Sequence, residues 1–345
     1  MKACGGYGKF LGAVSVFSIL CCAPRADAGE SCAVIWTYGI SDHPEWCETF
    51  KRAGFTALTA PLPKETRDVK WWLEPASLDS TDALLAGAAR TQLDVYYQVP
   101  LGMMIGTKFG PRTVTAAGFE EPSLPCPLNE FFWNDYLVPV VSAIARKALN
   151  HPAVKGVILD TEQYYGKERS GAIDENYCFC DECFGGFLKK SGIEEPLPVA
   201  SERRLWLDTN RQESSYWKYL EERMTKRAAQ MAAVVQAIAP GFQIHFYIFE
   251  DAWYYRGLLK GMMVSNQPVF VFDAKTYDGY LNNWAEEAAK KTRELNPLAV
   301  WVPGFYTGSL SARALRANVS KATKTQGSYW IYNQIIPIPE AYLGE

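Results

Sequence analysis

The apolar positions of the chain fall into eight short, strand-like runs separated by segments with helical spacing. Short apolar runs rich in β-branched and aromatic residues are typical of buried strands. The predicted strands are Ala33–Ile40, Phe55–Leu62, Leu93–Pro100, Val154–Asp160, Phe242–Glu250, Pro268–Asp273, Leu298–Pro303 and Ser328–Asn333.

Between these strands, the helical spacing of apolar residues predicts helices. The predicted helices are His43–Ala53, Ser80–Ala89, Asn129–Leu149, Tyr216–Ile238, Asn282–Glu294 and Ser311–Thr323, with a shorter pattern at Tyr254–Met262. Strands that alternate with helices pair in parallel through right-handed crossovers. The sequence therefore predicts an α/β fold, a (β/α)8 TIM barrel. An open doubly wound sheet is the alternative, but no G-x-G-x-x-G follows the first strand.

Two of the predicted connections are much longer than the usual few residues. They are Leu101–Leu128, after the third strand, and Thr161–Glu213, after the fourth. Both leave the carboxyl ends of strands, where barrel enzymes build their active sites. We therefore expect these two long loops to form walls of a pocket.

The N-terminus has the pattern of a secretory signal peptide. Lys2 and Lys9 precede or flank an apolar run, and Ala26 and Ala28 form a small-residue cleavage site. We expect residues 1–28 to be removed after Ala28, leaving a single barrel domain over 29–345 with a cysteine-rich excursion at about 163–213. This predicts a secreted or periplasmic protein. A lipoprotein is disfavoured because Leu20 and Cys21 precede its two candidate cysteines, where that signal requires a small residue. No later segment is apolar enough to span a membrane.

Composition alone favours an ordinary large core for the many aromatic residues, and sugar stacking is the functional alternative. The formal net charge of −3 lacks the basic character of nucleic-acid-binding proteins. The chain has 11 tryptophans and 19 tyrosines, whose faces suit the C–H faces of sugar rings. The side chains at predicted strand ends that we expect to contact substrate are Trp36, Tyr38, Gln98, Tyr164, Tyr247, Tyr277, Tyr306, Trp330 and Asn333. Oligomeric state is not predicted.

Two carboxylates end the fourth predicted strand. Asp160 and Glu162 share one face because side chains alternate with period two. Cleavage of a glycosidic bond needs a proton donor and a negative or nucleophilic group. We predict Glu162 as the general acid, with the charge of Asp160 raising its pKa. The chain has three histidines and no G-x-S-x-G or H-E-x-x-H motif, which disfavours triad and metal-dependent hydrolases. We expect His245 to be a satisfied barrel residue rather than a base.

The second catalytic group is open among three mechanisms. The substrate's own acetamido group can attack, aided by Asp160. Alternatively, Asp273 or Glu250 acts as the nucleophile with retention, or activates water with inversion. A carbohydrate-binding barrel without catalysis is the alternative function.

The fourth-strand acids resemble a known motif. Asp160-Thr161-Glu162 is similar to the end of the D-x-x-D-x-D-x-E motif of glycoside hydrolase family 18, the chitinase-like enzymes, although Lys155 and Ile158 replace the earlier aspartates. This resemblance implies a TIM barrel in which Glu162 is the acid and Asp160 orients an N-acetyl group. It also implies roles for a strand-six tyrosine and a strand-eight tryptophan, here Tyr277 and Trp330.

Four cysteines suggest a metal site. Cys126 and the C-x-C-x-x-C residues Cys178, Cys180 and Cys183 could supply four thiolates to a tetrahedral structural zinc ion. The arrangement resembles the zinc cysteines of glycoside hydrolase family 42, the β-galactosidase barrels. This resemblance implies a nucleophilic Glu near strand seven, but this chain has Pro303-Gly304-Phe305-Tyr306 there and no acid, which motivates the non-catalytic alternative. Disulfides are the alternative in an exported protein, and a redox protein is disfavoured because a lone C-x-x-C is weak support for it.

One further pairing of cysteines is predicted near the start of the barrel. Cys32 and Cys47 flank the first strand–helix unit, and both remain after removal of the signal peptide. We therefore predict a disulfide between them, since an exported protein folds in an oxidising compartment.

Overall fold

A closed barrel of parallel strands forms the centre of the molecule. The computed structural model describes residues 32–37, 39–60, 81–101, 110–161, 178–248, 252–279, 281 and 284–334. Its strands are β1 Ala33–Thr37, β2 Ala57–Ala60, β3 Asp94–Pro100, β4 Arg112–Val114, β5 Glu120–Pro125, β6 Val154–Asp160, β7 Gln243–Ile248, β8 Val269–Asp273, β9 Ala299–Tyr306 and β10 Tyr329–Asn333. The barrel order is β1-β2-β3-β6-β7-β8-β9-β10, closing back onto β1 with every pair parallel.

Helices connect the barrel strands on the outside. They are α1 Trp46–Arg52, α2 Asp82–Thr91, α3 Val138–Asn150, α4 Asp181–Lys190, α5 Arg203–Thr209, α6 Glu213–Ile238, α7 Trp253–Gly261, α8 Trp284–Leu295 and α9 Ala312–Gln326. A π-helical segment, Phe132–Leu137, leads directly into α3. Strand and helix alternate around the barrel as the sequence predicted, which confirms the (β/α)8 TIM barrel. Within the described ranges, no helix is both long and apolar enough to cross a membrane.

Two apolar cores lie on opposite sides of the barrel wall. The larger one fills the space between strands and helices, and the smaller one fills the barrel interior. Strand β8 shows the alternation, because Phe270 and Phe272 join the inner core whereas Val269 and Val271 join the outer one. Strands buried on both faces read as continuous apolar runs, which explains why they stood out in the sequence.

The two long connections contain regular structure. The first carries the antiparallel hairpin β4–β5, and the second carries α4 and α5 before the long helix α6. The backbone N–H of Phe179 donates to the carbonyl of Val114 at 2.8 Å, so the two connections touch. Gly118, at the tip of the hairpin, packs closely against Ser201. A Cβ added to Gly118 would lie 2.6 Å from the backbone nitrogen of Ser201. The two excursions therefore form one wall beside the ends of β3 and β6.

The predicted disulfide between Cys32 and Cys47 is wrong. Cys47 is a free thiol on α1 and packs in the outer core. Cys32 belongs to the inner core at the start of β1. The barrel wall separates the two residues, so proximity to the same strand–helix unit in sequence does not bring the sulfur atoms together.

Candidate active site and cysteine cluster

Asp160 lies at the carboxyl end of β6 and faces the barrel interior. It shares the inward face with Ile158, and the residue is 9% exposed. Gln98, on the neighbouring strand β3, donates from Nε2 to Oδ2 of Asp160 at 2.7 Å. A buried carboxylate with a fixed hydrogen-bond donor is held in one orientation. The structure thus brings together two residues that the sequence predicted for the site.

The chain is anchored as it leaves β6 toward Glu162. The backbone N–H and side-chain hydroxyl of Thr161 both donate to the carbonyl of Tyr247 on β7, at 3.1 and 2.8 Å. On the other side, the hydroxyl of Tyr136 donates to the carbonyl of Pro100 at 3.1 Å. Burial, and then the negative charge of Asp160, raise the pKa of Tyr136. Glu162, Glu250, Tyr38 and Tyr164 lie outside the described residues.

Aromatic rings from several strands line the barrel mouth, starting with Tyr247, the register partner of Asp160 on β7. Trp36 lies 5.2 Å from Tyr247 and 5.6 Å from Trp330, measured between ring centroids, and all three are buried. Tyr277 and Tyr306 lie next to these rings and are partly exposed. These five residues were predicted from the sequence to contact substrate, and the structure places them together.

Tyr332 is an aromatic residue that the prediction of substrate contacts missed. Its ring stacks on Tyr277 at 5.8 Å with an interplanar angle of 15° and lies 5.2 Å from Tyr306. The three half-buried tyrosines, Tyr277, Tyr306 and Tyr332, form what we call the tyrosine platform. The signal was available in the sequence, because Tyr332 is two residues after Trp330 and therefore shares its face of β10.

Polar groups of this aromatic wall include buried donors. The hydroxyls of Tyr247 and Tyr277 are 3.0 Å apart and hydrogen-bonded. The indole Nε1 atoms of Trp36 and Trp330 are buried and have no hydrogen-bond partner among the described residues. Burying an unpaired donor is costly, so such groups commonly mark a place where water or a polar ligand binds.

Asp273 does not face the barrel mouth, contrary to the prediction. It follows Phe272 and lies on the outer face of β8, where it is 3% exposed. Its Oδ1 accepts from the backbone N–H of Lys275 and its Oδ2 from Nε1 of Trp301, both at 2.9 Å. Burial raises the pKa of Asp273. Because both oxygens serve local structure on the wrong side of the wall, this geometry does not support a nucleophile or base.

Asn333 also differs from its predicted role. It lies on the outward alternation of β10, opposite to Trp330, and is 5% exposed. Its Oδ1 accepts from the hydroxyl of Thr307 at 2.6 Å, which ties the end of β10 to the chain after β9. This geometry supports a structural role for Asn333 at the rim rather than contact with substrate.

The seventh barrel strand, β9, offers no inward side chain next to Trp330. Its inward residue there is Gly304, and a Cβ at that position would lie 2.2 Å from Cε2 of the Trp330 indole. Trp330 therefore occupies the space into which a larger strand-seven side chain would project. This packing is the structural counterpart of the missing acid in Pro303-Gly304-Phe305-Tyr306.

His245 lies deeper in the barrel, among aromatic rings. It is fully buried, with the rings of Tyr96 at 4.7 Å and Phe270 at 4.8 Å. Its Nδ1 accepts from the backbone N–H of Phe270 at 3.1 Å, whereas Nε2 has no partner among the described residues. Burial lowers the pKa of His245 to about 3. His245 is a buried, neutral residue of the barrel, but the prediction that it is satisfied fails for Nε2, so only half of its hydrogen-bonding capacity is used among the described residues.

The four predicted zinc cysteines converge. The Sγ atoms of Cys126, Cys178, Cys180 and Cys183 all lie within 4.8 Å of one another, and all four residues are buried free thiols. Sγ of Cys126 is 3.4 Å from that of Cys183 and 3.7 Å from that of Cys180. Four ligands at ~2.3 Å around a tetrahedral ion would have sulfur atoms ~3.8 Å apart. The arrangement matches a metal site rather than two disulfides.

The thiols of the cluster shift one another's pKa values. Hydrogen bonding from Cys126 lowers the pKa of Cys180, which is the N-cap of α4. Hydrogen bonding with Cys178 raises the pKa of Cys126, and hydrogen bonding with Cys126 raises that of Cys183. One thiolate is therefore stabilised by neighbouring thiols, whereas four thiolates in a buried site require a positive ion.

Comparisons with known proteins bear on the fold. No protein-family model matches the sequence, and a search of curated proteins finds no significant relative. Among solved structures, a β-galactosidase from the psychrophilic Marinomonas ef1 is 11% identical with a TM-score of 0.57, covering 88% of this chain and 54% of that one. A polyextremophilic β-galactosidase from the Antarctic haloarchaeon Halorubrum lacusprofundi is 11% identical with a TM-score of 0.54, covering 88% and 52%.

A third solved structure belongs to an exo-β-agarase. It is 12% identical with a TM-score of 0.50, and the match covers 86% of this chain and 42% of that one. The chain thus spans about half the length of these structural neighbours. At such identities the likeness shows a shared barrel fold, and the neighbours in which it occurs are glycosidases.

Proposed function

We propose that this protein is an exported glycoside hydrolase that cleaves a glycosidic bond in an oligo- or polysaccharide. The observation that carries the proposal is the inward-facing Asp160, oriented by Gln98 at a barrel mouth that aromatic rings also line. A carboxylate at the end of a TIM-barrel strand is in the position where enzymes of this fold place catalytic groups. The glycosidase names of the structural neighbours agree with this chemistry.

Glu162 is the proposed general acid and Asp160 its partner. Thr161, the residue between them, is fixed by two hydrogen bonds to the carbonyl of Tyr247, so the last described residue before Glu162 is held in place. Strand alternation would give Glu162 the same inward direction as Asp160. An ionised Asp160 would then raise the pKa of Glu162 and keep its proton available for the leaving oxygen.

The outward direction of Asp273 reduces the number of candidates for the second catalytic group. Of the two strand-end carboxylates considered, Glu250 remains as a nucleophile or base. A substrate acetamido group held with the help of Asp160 is the other route. The aromatic wall of Trp36, Tyr247 and Trp330 and the tyrosine platform are the proposed sugar contacts, together with Tyr38 and Tyr164.

The cysteine cluster is the proposed site of a structural zinc ion. Cys126, Cys178, Cys180 and Cys183 would hold the ion through four thiolates, which leaves no open position for a catalytic water. Zinc in such a site would join the β4–β5 hairpin to α4 and stabilise the wall that they form. Replacing Cys183 with Ser should reduce the zinc content from about one ion per chain to well below one. Equal zinc content in the wild type and the Cys183→Ser variant would contradict this assignment.

The catalytic roles can be tested by conservative substitutions. Glu162→Gln should abolish hydrolysis of natural glycans and recover partly on aryl glycosides with a good leaving group, because these need less protonation. Asp160→Asn should lower kcat and shift the alkaline limb of the pH–rate profile to lower pH, because Glu162 loses its proton more easily without the neighbouring charge. Glu287→Gln, an exposed residue on α8, is the matched control. Unchanged turnover of Glu162→Gln on every substrate would remove it from the mechanism.

A carbohydrate-binding barrel without catalysis is the second candidate function. Two observations favour it. The Trp330 indole fills the space beside Gly304 of the seventh barrel strand, where an acid side chain would otherwise project, and Asp273 points outward. This alternative predicts glycan binding by the wild type without turnover. It also predicts that Glu162→Gln leaves glycan affinity intact. Release of product by the wild type would rule it out.

A further inference from the structure

Arg203 is a buried cation next to the cysteine cluster. It begins α5, and its side chain is only 4% exposed. Its Nη1 donates to the carbonyl of Phe179 and its Nη2 to Oδ1 of Asp181, both at 2.5 Å. The third donor, Nε, reaches the carbonyl of Pro198 at 2.9 Å. A buried arginine with three satisfied hydrogen-bond directions is held rigidly in place.

The contacts of Arg203 follow the spacing of the metal-binding motif. Phe179 lies between Cys178 and Cys180, and Asp181 lies between Cys180 and Cys183. The guanidinium also lies over the ring of Phe184, at 5.6 Å from its centroid. One side chain therefore contacts the residue that follows each of the three cysteines in C-x-C-x-x-C.

Neighbouring residues complete the support of this segment. The hydroxyl of Tyr216 on α6 donates to the carbonyl of Cys178. The N–H of Phe179 donates to Val114 of the hairpin. With Arg203 on the Phe179 carbonyl, the backbone from Cys178 to Phe179 is fixed from three elements. Because this backbone is already ordered without the metal, metal binding loses less conformational entropy.

We infer that Arg203 is a positioning residue for the cysteine site, which sets its metal affinity by holding the backbone of the C-x-C-x-x-C segment. The inference rests on the proposed metal binding. Residues outside the ligand set that orient ligands typically change metal affinity about 10–100-fold when they are replaced. Arg203 acts through the backbone carbonyl of Phe179 and the carboxylate of Asp181, so its effect should depend on the fork geometry of its guanidinium.

The experiment compares Arg203→Met and Arg203→Lys with the wild-type full chain. Zn²⁺ affinity is measured by competition with a chromogenic chelator, and bound Co²⁺ reports the ligand geometry by its absorption spectrum. We expect Arg203→Met to weaken Zn²⁺ binding about 10–100-fold while the Co²⁺ spectrum stays tetrahedral and thiolate-rich. Arg203→Lys should fall in between, because lysine can reach only part of the three acceptors.

Arg204→Met is the matched control. Arg204 is adjacent in the chain but pairs with Asp208 and Glu213 on the surface of the same excursion. Wild-type affinity in both Arg203 variants would overturn the inference, as would equal weakening in Arg204→Met. If Arg203→Met does not fold, the Zn²⁺ affinity of Arg203→Lys is the test: weaker binding than the wild type supports the inference, and wild-type affinity overturns it. Absence of zinc binding by the wild type would instead refute the metal site itself, and the inference with it.

A merely structural role for Arg203 is distinguished by a second readout. If Arg203 positions the ligands, the increase in Tm on adding Zn²⁺ should be smaller in Arg203→Met than in the wild type, because the coupling between metal and fold is reduced. If Arg203 only stabilises the excursion, the variant should lose the same stability with and without Zn²⁺. That equal loss would also overturn the inference.

Discussion

Acidification should destabilise this barrel through His245, the histidine that is buried at its centre. The imidazole is fully enclosed by rings of β3 and β8, and one of its nitrogens is committed to the N–H of Phe270. Burial lowers its pKa from the ordinary value of 6.5 to about 3. Charging the ring in place would bury a cation in an apolar environment, which is strongly unfavourable.

The direction and size of the effect follow from proton linkage. Between about pH 6.5 and pH 3 the unfolded state binds a proton at His245 that the folded state does not, so stability falls as pH falls through this window. One pKa unit corresponds to ~1.4 kcal/mol. Lowering the pH from 7 to 5 should therefore cost about 2 kcal/mol of unfolding free energy through this residue alone.

The test compares His245→Asn with the wild type by chemical denaturation over this pH range. The amide oxygen of Asn can accept from Phe270 in place of Nδ1, and Asn does not titrate. His245→Asn should be less stable at pH 7 because it leaves a cavity, yet it should lose about 2 kcal/mol less than the wild type between pH 7 and pH 5. His43→Asn, at a half-exposed histidine, is the matched control.

Parallel pH dependence of the wild type and His245→Asn would refute this reasoning. It would mean that the imidazole is charged or hydrated in the folded barrel. In that case the unpaired Nε2 would have access to water, and the interior near Tyr96 would be less apolar than its packing indicates.

Three further predictions concern the barrel mouth. Gly304→Ala should lower stability by about 1–3 kcal/mol and change tryptophan fluorescence, because the new methyl group overlaps the Trp330 indole; unchanged denaturation and emission would show that the indole lies elsewhere. Asp273→Ala should lower the unfolding free energy by about 2–4 kcal/mol, since it removes the acceptor of the buried Trp301 indole N–H and of the part-buried Lys275 backbone N–H, while the kcat of the folded protein stays within about threefold. A loss of ~1,000-fold or more in kcat at unchanged stability would return Asp273 to the mechanism. Tyr306→Ala should weaken glycan binding about tenfold, or ~1.4 kcal/mol, whereas Tyr306→Phe keeps the ring and the affinity; equal affinity of Tyr306→Ala and the wild type in calorimetry would exclude the tyrosine platform as a sugar contact.

The barrel strands could be predicted because each is buried on both sides. The run Val154–Asp160 appears in the structure with the bounds expected from the sequence, and the others differ by a few residues at their ends. Continuous apolar character reveals that a strand is central, but it hides which alternate positions face inward. This is why Asp273 was expected in the barrel mouth although it lies on the outer face.

The helices and strands within the two long connections were harder to predict from the sequence. Helix α4 contains Gly185 and Gly186, which weaken helical propensity. The strand Glu120–Pro125 contains two prolines, which normally argue against a strand. In both cases tertiary contacts around the cysteines outweigh local preference. The cysteine spacing itself was informative, because short spacings rarely suit disulfides but do suit a metal ion.

Hydrolysis by the purified mature protein tests the central proposal most directly. The measurement is release of nitrophenol and of reducing ends from a panel of aryl glycosides and natural glycans, N-acetylated ones included, by the wild type and by Glu162→Gln. We predict cleavage of at least one glycan by the wild type and loss of that cleavage in the variant. Glycan binding without product release from any substrate would contradict a glycoside hydrolase and favour a binding protein.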